Sequence, residues 1–125
     1  RVLPAGKRVG VLTFDGSSLK RPHLEAVGAP LDVPIVGLEA GGRFRQALLG
    51  DATVDSYEVR ETEAIEAARR LVTEHTDIGA IVLECTNLVP HAAAIHEVVQ
   101  LPVYDVMTLC RWFHSVLMPR VWSRF

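Results

Sequence analysis

The stretch IGAIVLECTNLVPHAAAI, residues 78–95, decides the fold. Ile78 to Glu84 is apolar without alternation, as expected of a strand covered on both faces of a parallel sheet rather than one half-exposed in an antiparallel sheet. The run stops at Glu84, Cys85, Thr86 and Asn87, and the apolar positions then change period. Leu88, Ala92, Ile95 and Val99 share one face of a helix. A strand that leads straight into a helix is one step of a β-α repeat.

Working outward from this unit, similar steps occur on both sides. RVGVLTF, Arg8 to Phe14, is a short buried strand bounded by DGSSLKR, and Pro22 to Val27 reads as a short helix closed by Gly28, with proline in the first turn where its missing N–H is harmless. A second strand is expected around Val33 to Leu38, and a short helix from Arg43 to Leu49 between glycine punctuators. Asp55 with Glu58 has the form of a capping box. Ile65, Ala68, Leu71 and Val72 follow at helical spacing, so one long amphipathic helix is predicted from Asp55 to about His75. LPVYDV supplies a fourth strand. Val106, Leu109, Cys110, Phe113 and Leu117 form the stripe of a last helix that stops at Pro119. The order β, α, β, α, α, β, α, β, α predicts a single α/β domain over residues 1–125. It is three-layered and flavodoxin-like, with a parallel sheet of about four strands and helices on both faces.

The whole chain agrees with that size. It has 125 residues, is 49% hydrophobic, and carries 13 basic against 15 acidic side chains for a net charge of -2. Such a balance argues against a nucleic-acid partner and against attraction to acidic membranes. Cys85 and Cys110 have no C-x-x-C spacing, and the five histidines share no metal-binding pattern, so no metal is expected and reduced, cytoplasmic thiols are the default. No apolar run reaches the roughly 18 residues of a membrane span. Arg1 in place of Met, followed by the loop-like VLPAGKR, predicts a chain that begins within a longer protein.

Open parallel sheets bind ligands beyond the carboxyl ends of their strands. ECTN falls there, and the N-terminus of a following helix favours anions and activates thiols. Cys85 is therefore the candidate acid/base, and Thr86 and Asn87 are candidates to hold a substrate carboxylate. The plainer alternative is that Thr86 or Asn87 only caps the helix and Cys85 fills a small buried space. Glu84 is a candidate for tuning the thiolate from behind it, or for a purely structural role. His91, in the first turn after the motif, would face the cleft or the surface. Cys110 falls on the apolar stripe of the last helix and reads as core filler. Trp112, Phe113, Trp122 and Phe125 are half of the chain's aromatic residues, and their cluster predicts an interface with another segment or with a second copy.

VLECTNLVPHAAAIHEVVQLPVYDVMTL resembles the second cysteine motif of the aspartate/glutamate/hydantoin racemase superfamily, where a strand enters Cys-Thr, a proline follows, and a strand of the LPVYD kind comes next. RVGVLTFDGSSLKRPHL is similar to the opening of the second half of those enzymes. The resemblance implies a cofactor-independent racemase half acting on a small carboxylate-bearing substrate. Cys85 would be the acid/base on one face of the α-carbon, and a second cysteine would come from a missing amino-terminal half or another subunit, because inversion needs a base and an acid on opposite faces. Thr86 and Asn87, with Thr13 and Ser17 from the first loop, would bind the substrate. Asn87 departs from the histidine of glutamate racemases, and maleate isomerisation and arylmalonate decarboxylation are related cysteine chemistries of the same superfamily that the motif does not separate. A non-catalytic flavodoxin-like module that binds an anion or a partner is the alternative of a different class.

Overall fold

A computed structural model describes residues 3–50 and 56–120. Its elements are β1 (Arg8–Thr13), α1 (Arg21–Ala26), β2 (Ile35–Gly37), α2 (Arg43–Leu49), α3 (Tyr57–Glu74), β3 (Ile78–Leu83), a 3-10 helix (Thr86–His91), α4 (Ala92–Val99), β4 (Val103–Tyr104) and α5 (Val106–Leu117). The strands form one sheet in the order β2-β1-β3-β4, and every pairing is parallel. The α/β architecture expected from the alternating periods is therefore present, with β1 and β3 as the central strands.

The sheet's better-covered face carries α3. Leu12 is in register with Val36 on one side and Leu83 on the other, and Gly10 with Ile81. These side chains meet Ala64, Ala67, Ala68 and Leu71 of α3 in one buried cluster that also holds Phe44, Leu88 and Ile95. Each fully buried Leu, Ile or Phe there stabilises the fold by roughly 1.5–3 kcal/mol. The three alanines let the helix approach the strands closely, and Gly10 extends that fit: a Cβ on it would lie 2.8 Å from Leu71 Cδ2. α3 is also tied to the end of β2, because Arg70 Nη2 donates to Gly37 O at 2.7 Å.

Local signals explain the helix ends. α2 begins after Gly42, which has no side chain to cap it, and Glu63 of α3 takes that role by accepting from Arg43 N at 2.8 Å and Phe44 N at 3.0 Å. Ser56 Oγ accepts from Val59 N at 3.3 Å and caps α3. The capping box read at Asp55 lies outside the described residues, and the cap observed is Ser56. α5 begins at Asp105, whose Oδ1 accepts from Thr108 N at 2.8 Å.

Two expectations are corrected here. The segment after Cys85 is first a 3-10 helix and only then α4, because Pro90 lacks the N–H that an α-helix would bond to Thr86. The apolar stripe of α5 is not core: none of its residues is buried, and Cys110 is exposed. α5 meets the fold chiefly at the 3-10 helix, leaving Leu109, Trp112, Phe113, Val116 and Leu117 exposed. Trp122 and Phe125 lie outside the described residues. Among those described, no helix is long and apolar enough to cross a membrane.

Candidate functional site

At the carboxyl ends of β1 and β3 a cleft of about 470 Å³ is lined by Thr13, Phe14, Asp15, Ser18, Leu19, His23, Glu84, Cys85 and Thr86. It lies where β1 and β3 stop and their loops separate, the place that parallel topology reserves for ligands. A cavity of similar size near Arg43 and Glu63 lies where Glu63 caps α2. The β1-β3 cleft brings the Cys85 thiol together with carboxylates and hydroxyls.

The loop after β1 is held from several sides. Ser17 donates to Asp15 Oδ1 through its backbone N at 2.9 Å and its hydroxyl at 2.7 Å, and Ser18 Oγ donates to Oδ2 at 2.9 Å. Arg45 Nη2 of α2 lies 2.9 Å from the same Oδ2, while its guanidinium sits over the Phe14 ring at 5.6 Å from the centroid. The Ser17 hydroxyl, then Ser18 and the Ser17 backbone, with Arg45 adding to them, hold the Asp15 carboxyl below the ordinary carboxylate range. Gly16 and Gly37 make the loop's path possible, since a Cβ on Gly37 would strike the backbone N of Gly16. On the far side of the loop, Lys20 N donates to His23 Nδ1 at 2.8 Å, which places the neutral ring's proton on Nε2.

The β3 side carries the thiol. Cys85 is half-buried at the start of the 3-10 helix and lines the cleft, so its sulfur is reachable and not sealed in hydrocarbon. Asn87 Nδ2 donates to Cys85 Sγ at 3.8 Å, within range for a sulfur acceptor. The first bonded N–H of the turn is that of Leu88, which returns to Cys85 O at 3.0 Å. The N–H groups of Thr86 and Asn87 precede it, at the end of a helix where N–H groups have no intrahelical acceptor. Glu84 projects into the cleft, and its Oε2 accepts from Thr13 Oγ1 at 2.6 Å.

The residues singled out from the sequence are thus distributed unevenly. Cys85, Thr86, Thr13 and Glu84 line one cleft, and Asn87 reaches the sulfur from its edge. Ser17 is outside the lining with its hydroxyl engaged by Asp15, and Ser18 takes the place at the wall. His91 is neither at the cleft nor on the surface: it is 1% exposed, between Phe44 at 5.6 Å and Tyr57 at 4.8 Å between ring centroids. Its Nδ1 lies 3.8 Å from Glu61 Oε2, beyond hydrogen-bond range, and has no hydrogen-bond partner among the described residues. Burial pushes its imidazolium below the ordinary value of 6.5, with Glu61 opposing the shift. Asp15, His23, Phe14 and Arg45 were not anticipated as site residues. The Asp15-Gly16-Ser17-Ser18 sequence is an Asx-turn signal that marks Asp15 as a loop organiser.

Comparison with curated proteins finds relatives that are enzymes by name. Dimethylsulfoniopropionate lyase 7 of Emiliania huxleyi (strain CCMP1516) is 30% identical over 126 residues, which cover 91% of this chain and 36% of that protein. Dimethylsulfoniopropionate lyase 3 of the same organism is 31% identical over 126 residues, covering 91% and 32%. Dimethylsulfoniopropionate lyase of Durusdinium sp. clade D is 37% identical over 49 residues, covering 39% and 16%. The chain spans about a third or less of the length of these relatives. No protein-family model matches it.

These findings correct the expectation drawn from the cysteine motif. The relatives carry the name of a lyase, a different reaction from racemisation, and no family model supports the racemase resemblance. The isomerase, decarboxylase and non-catalytic module alternatives do not match those names either.

Proposed function

We propose that this chain supplies the thiol-bearing wall of a lyase site that cleaves a carboxylate carrying a sulfonium group two carbons away, as in dimethylsulfoniopropionate. The observation that carries the reading is the meeting of two facts at one place. The relatives spanning 91% of the chain are named for that substrate, and the cleft at the sheet's carboxyl edge presents Cys85 beside an amide donor.

The chemistry suits those groups. A proton on the carbon next to a carboxylate is weakly acidic, and removing it calls for a positioned base. In its thiolate form Cys85 takes that proton. The C–H electron pair becomes the second bond of acrylate, and the C–S bond breaks with both electrons passing to sulfur, so neutral dimethyl sulfide departs. The new thiol then returns its proton to water, which restores the thiolate and balances the cycle. Asn87 Nδ2 is the donor that reaches Sγ. The substrate carboxylate, whose charge grows as the proton leaves, is met at the Thr86 side of the cleft.

The test is release of dimethyl sulfide into headspace from the full-length protein, followed by gas chromatography, with Cys85→Ala beside the unsubstituted form. Loss of a positioned base lowers kcat by roughly 10²–10⁴-fold. Undiminished release from Cys85→Ala removes Cys85 from the mechanism, and absence of release from the unsubstituted full-length protein removes the lyase reading.

A further inference from the structure

We infer that Glu84 is the specificity determinant for the positive charge of the substrate, so that the cleft selects onium carboxylates over uncharged analogues of the same shape. The inference rests on the lyase reading for the identity of the cation. The carboxylates at the cleft wall define a cation-selective position.

Two carboxylates line this cleft, and they differ in what they already bind. Asp15 is engaged on both oxygens: Oδ1 holds Ser17, and Oδ2 holds Ser18 and the guanidinium of Arg45. Its charge is locally matched and it organises the loop. Glu84 is held by one oxygen only. Oε2 accepts from Thr13 Oγ1 at 2.6 Å, and Thr13 is 5% exposed at the end of β1, so this anchor is rigid. Among the described residues, Oε1 has no hydrogen-bond partner and no cation pairs with Glu84. An exposed carboxylate, anchored through one oxygen and with the other free, therefore shares the cleft wall with the thiol.

Its location in the chain adds direction. Glu84 follows directly on β3 and Cys85 is the next residue, so the carboxylate and the thiol leave the sheet edge together. A substrate whose α-carbon reaches Sγ has its sulfonium only two bonds farther on. The anionic side chain neighbouring the thiol is the group that can meet it. A thiolate base gains nothing by itself from an adjacent carboxylate, since like charges oppose its formation. An onium group between the two reverses that relation, because the cation offsets both negative charges once it is bound.

The kinetic role follows from when the charge exists. The sulfonium is fully positive in the bound substrate and becomes neutral as the C–S bond breaks. An anion that attracts it favours the ground state at least as much as the transition state, so Glu84 lowers KM without raising kcat. The expected signature of Glu84→Gln is a KM about tenfold higher, equivalent to about 1.4 kcal/mol, with kcat unchanged or raised. A merely structural loss would lower kcat as well.

The decisive measurement is binding to full-length protein of two non-reacting analogues of one shape: the trimethylammonium analogue of the substrate and its uncharged tert-butyl isostere. Isothermal calorimetry on the unsubstituted protein is expected to show the onium compound bound about tenfold more tightly. Glu84→Gln should abolish that preference, and Glu84→Asp, which keeps the charge, should retain most of it. Equal affinity of the two analogues for the unsubstituted protein overturns the inference without any variant. Loss of affinity for both analogues alike in Glu84→Gln also overturns it, by assigning Glu84 to cleft architecture. Dimethyl sulfide release with an indifferent Glu84 leaves the lyase reading standing and sinks this one. An onium preference without release does the reverse.

Discussion

Leu71 and Gly10 form the contact on which the α3-sheet interface turns, and a double-mutant cycle measures it. Leu71 is fully buried, and its two methyl carbons lie 2.8 and 3.1 Å from the place where a Cβ on Gly10 would stand. Leu71→Ala alone removes buried methyls and leaves a cavity, at a cost of about 3–5 kcal/mol. That is a large share of the 5–15 kcal/mol by which a domain of this kind is stable. Gly10→Ala alone forces the new methyl against Leu71 and costs about 1–3 kcal/mol, less whatever the stiffer strand backbone returns. In the Leu71→Ala background two of the three nearest obstacles are gone, Ile78 Cδ1 at 3.0 Å remaining. The added methyl then occupies the cavity, and Gly10→Ala should become neutral or stabilising by about 0.5–1 kcal/mol. The expected coupling is thus about 1–4 kcal/mol in favour of the double variant. Urea unfolding followed by far-UV circular dichroism, with equal m-values across the four proteins, reads each free energy. Additivity within about 0.5 kcal/mol would refute the proposed direct contact between the helix and the glycine of β1.

Two pH-dependent effects can be measured on the same protein. Burial holds His91 neutral in the folded state, with its pKa below 6.5. The unfolded chain therefore binds a proton that the native state resists, so stability is full above that unfolded value and is lost as pH falls through the folded one. An NMR titration of the His91 ring should give a midpoint below 6.5, and a midpoint at or above it contradicts the packing described. The Asp15 carboxyl is depressed below 3.8, chiefly by the Ser17 hydroxyl. Its contribution to stability is present above 3.8 and is lost as pH falls through the lower folded value. Ser17→Ala should raise the Asp15 midpoint seen by carboxyl carbon NMR, and an unchanged midpoint would mean that the hydroxyl does not hold it.

The architecture was readable because its signals are local. The unalternating Ile78–Leu83 run and the glycines around Arg43–Leu49 mark elements that the structure places within a residue or two of where periodicity put them. The cleft was legible for the same reason: a polar interruption after a buried strand can only sit at the sheet's edge, and Cys85 is there. What was not legible depends on partners distant in sequence. The anchor of Glu84 is Thr13, and the clamp on Asp15 comes from Arg45. His91 was misread although its spacing, three residues after Leu88 and four before Ile95, marks the buried face. Its polarity outweighed its position in the reading, whereas in the fold the aromatic rings of Phe44 and Tyr57 accept it. The stripe of α5 was read correctly as apolar and wrongly as core, since periodicity reports that a face is hydrophobic and not what lies against it.

The order β2-β1-β3-β4 also sets a timetable for the chain as it is made. β1 leaves the ribosome before β3, with which it makes its longer pairing, joining Arg8 to Ile78. At roughly 5–20 residues per second, the nascent chain carries the apolar segment Val9 to Leu12 for several seconds with only the three-residue β2 to pair with. That interval is when a chaperone would find this protein.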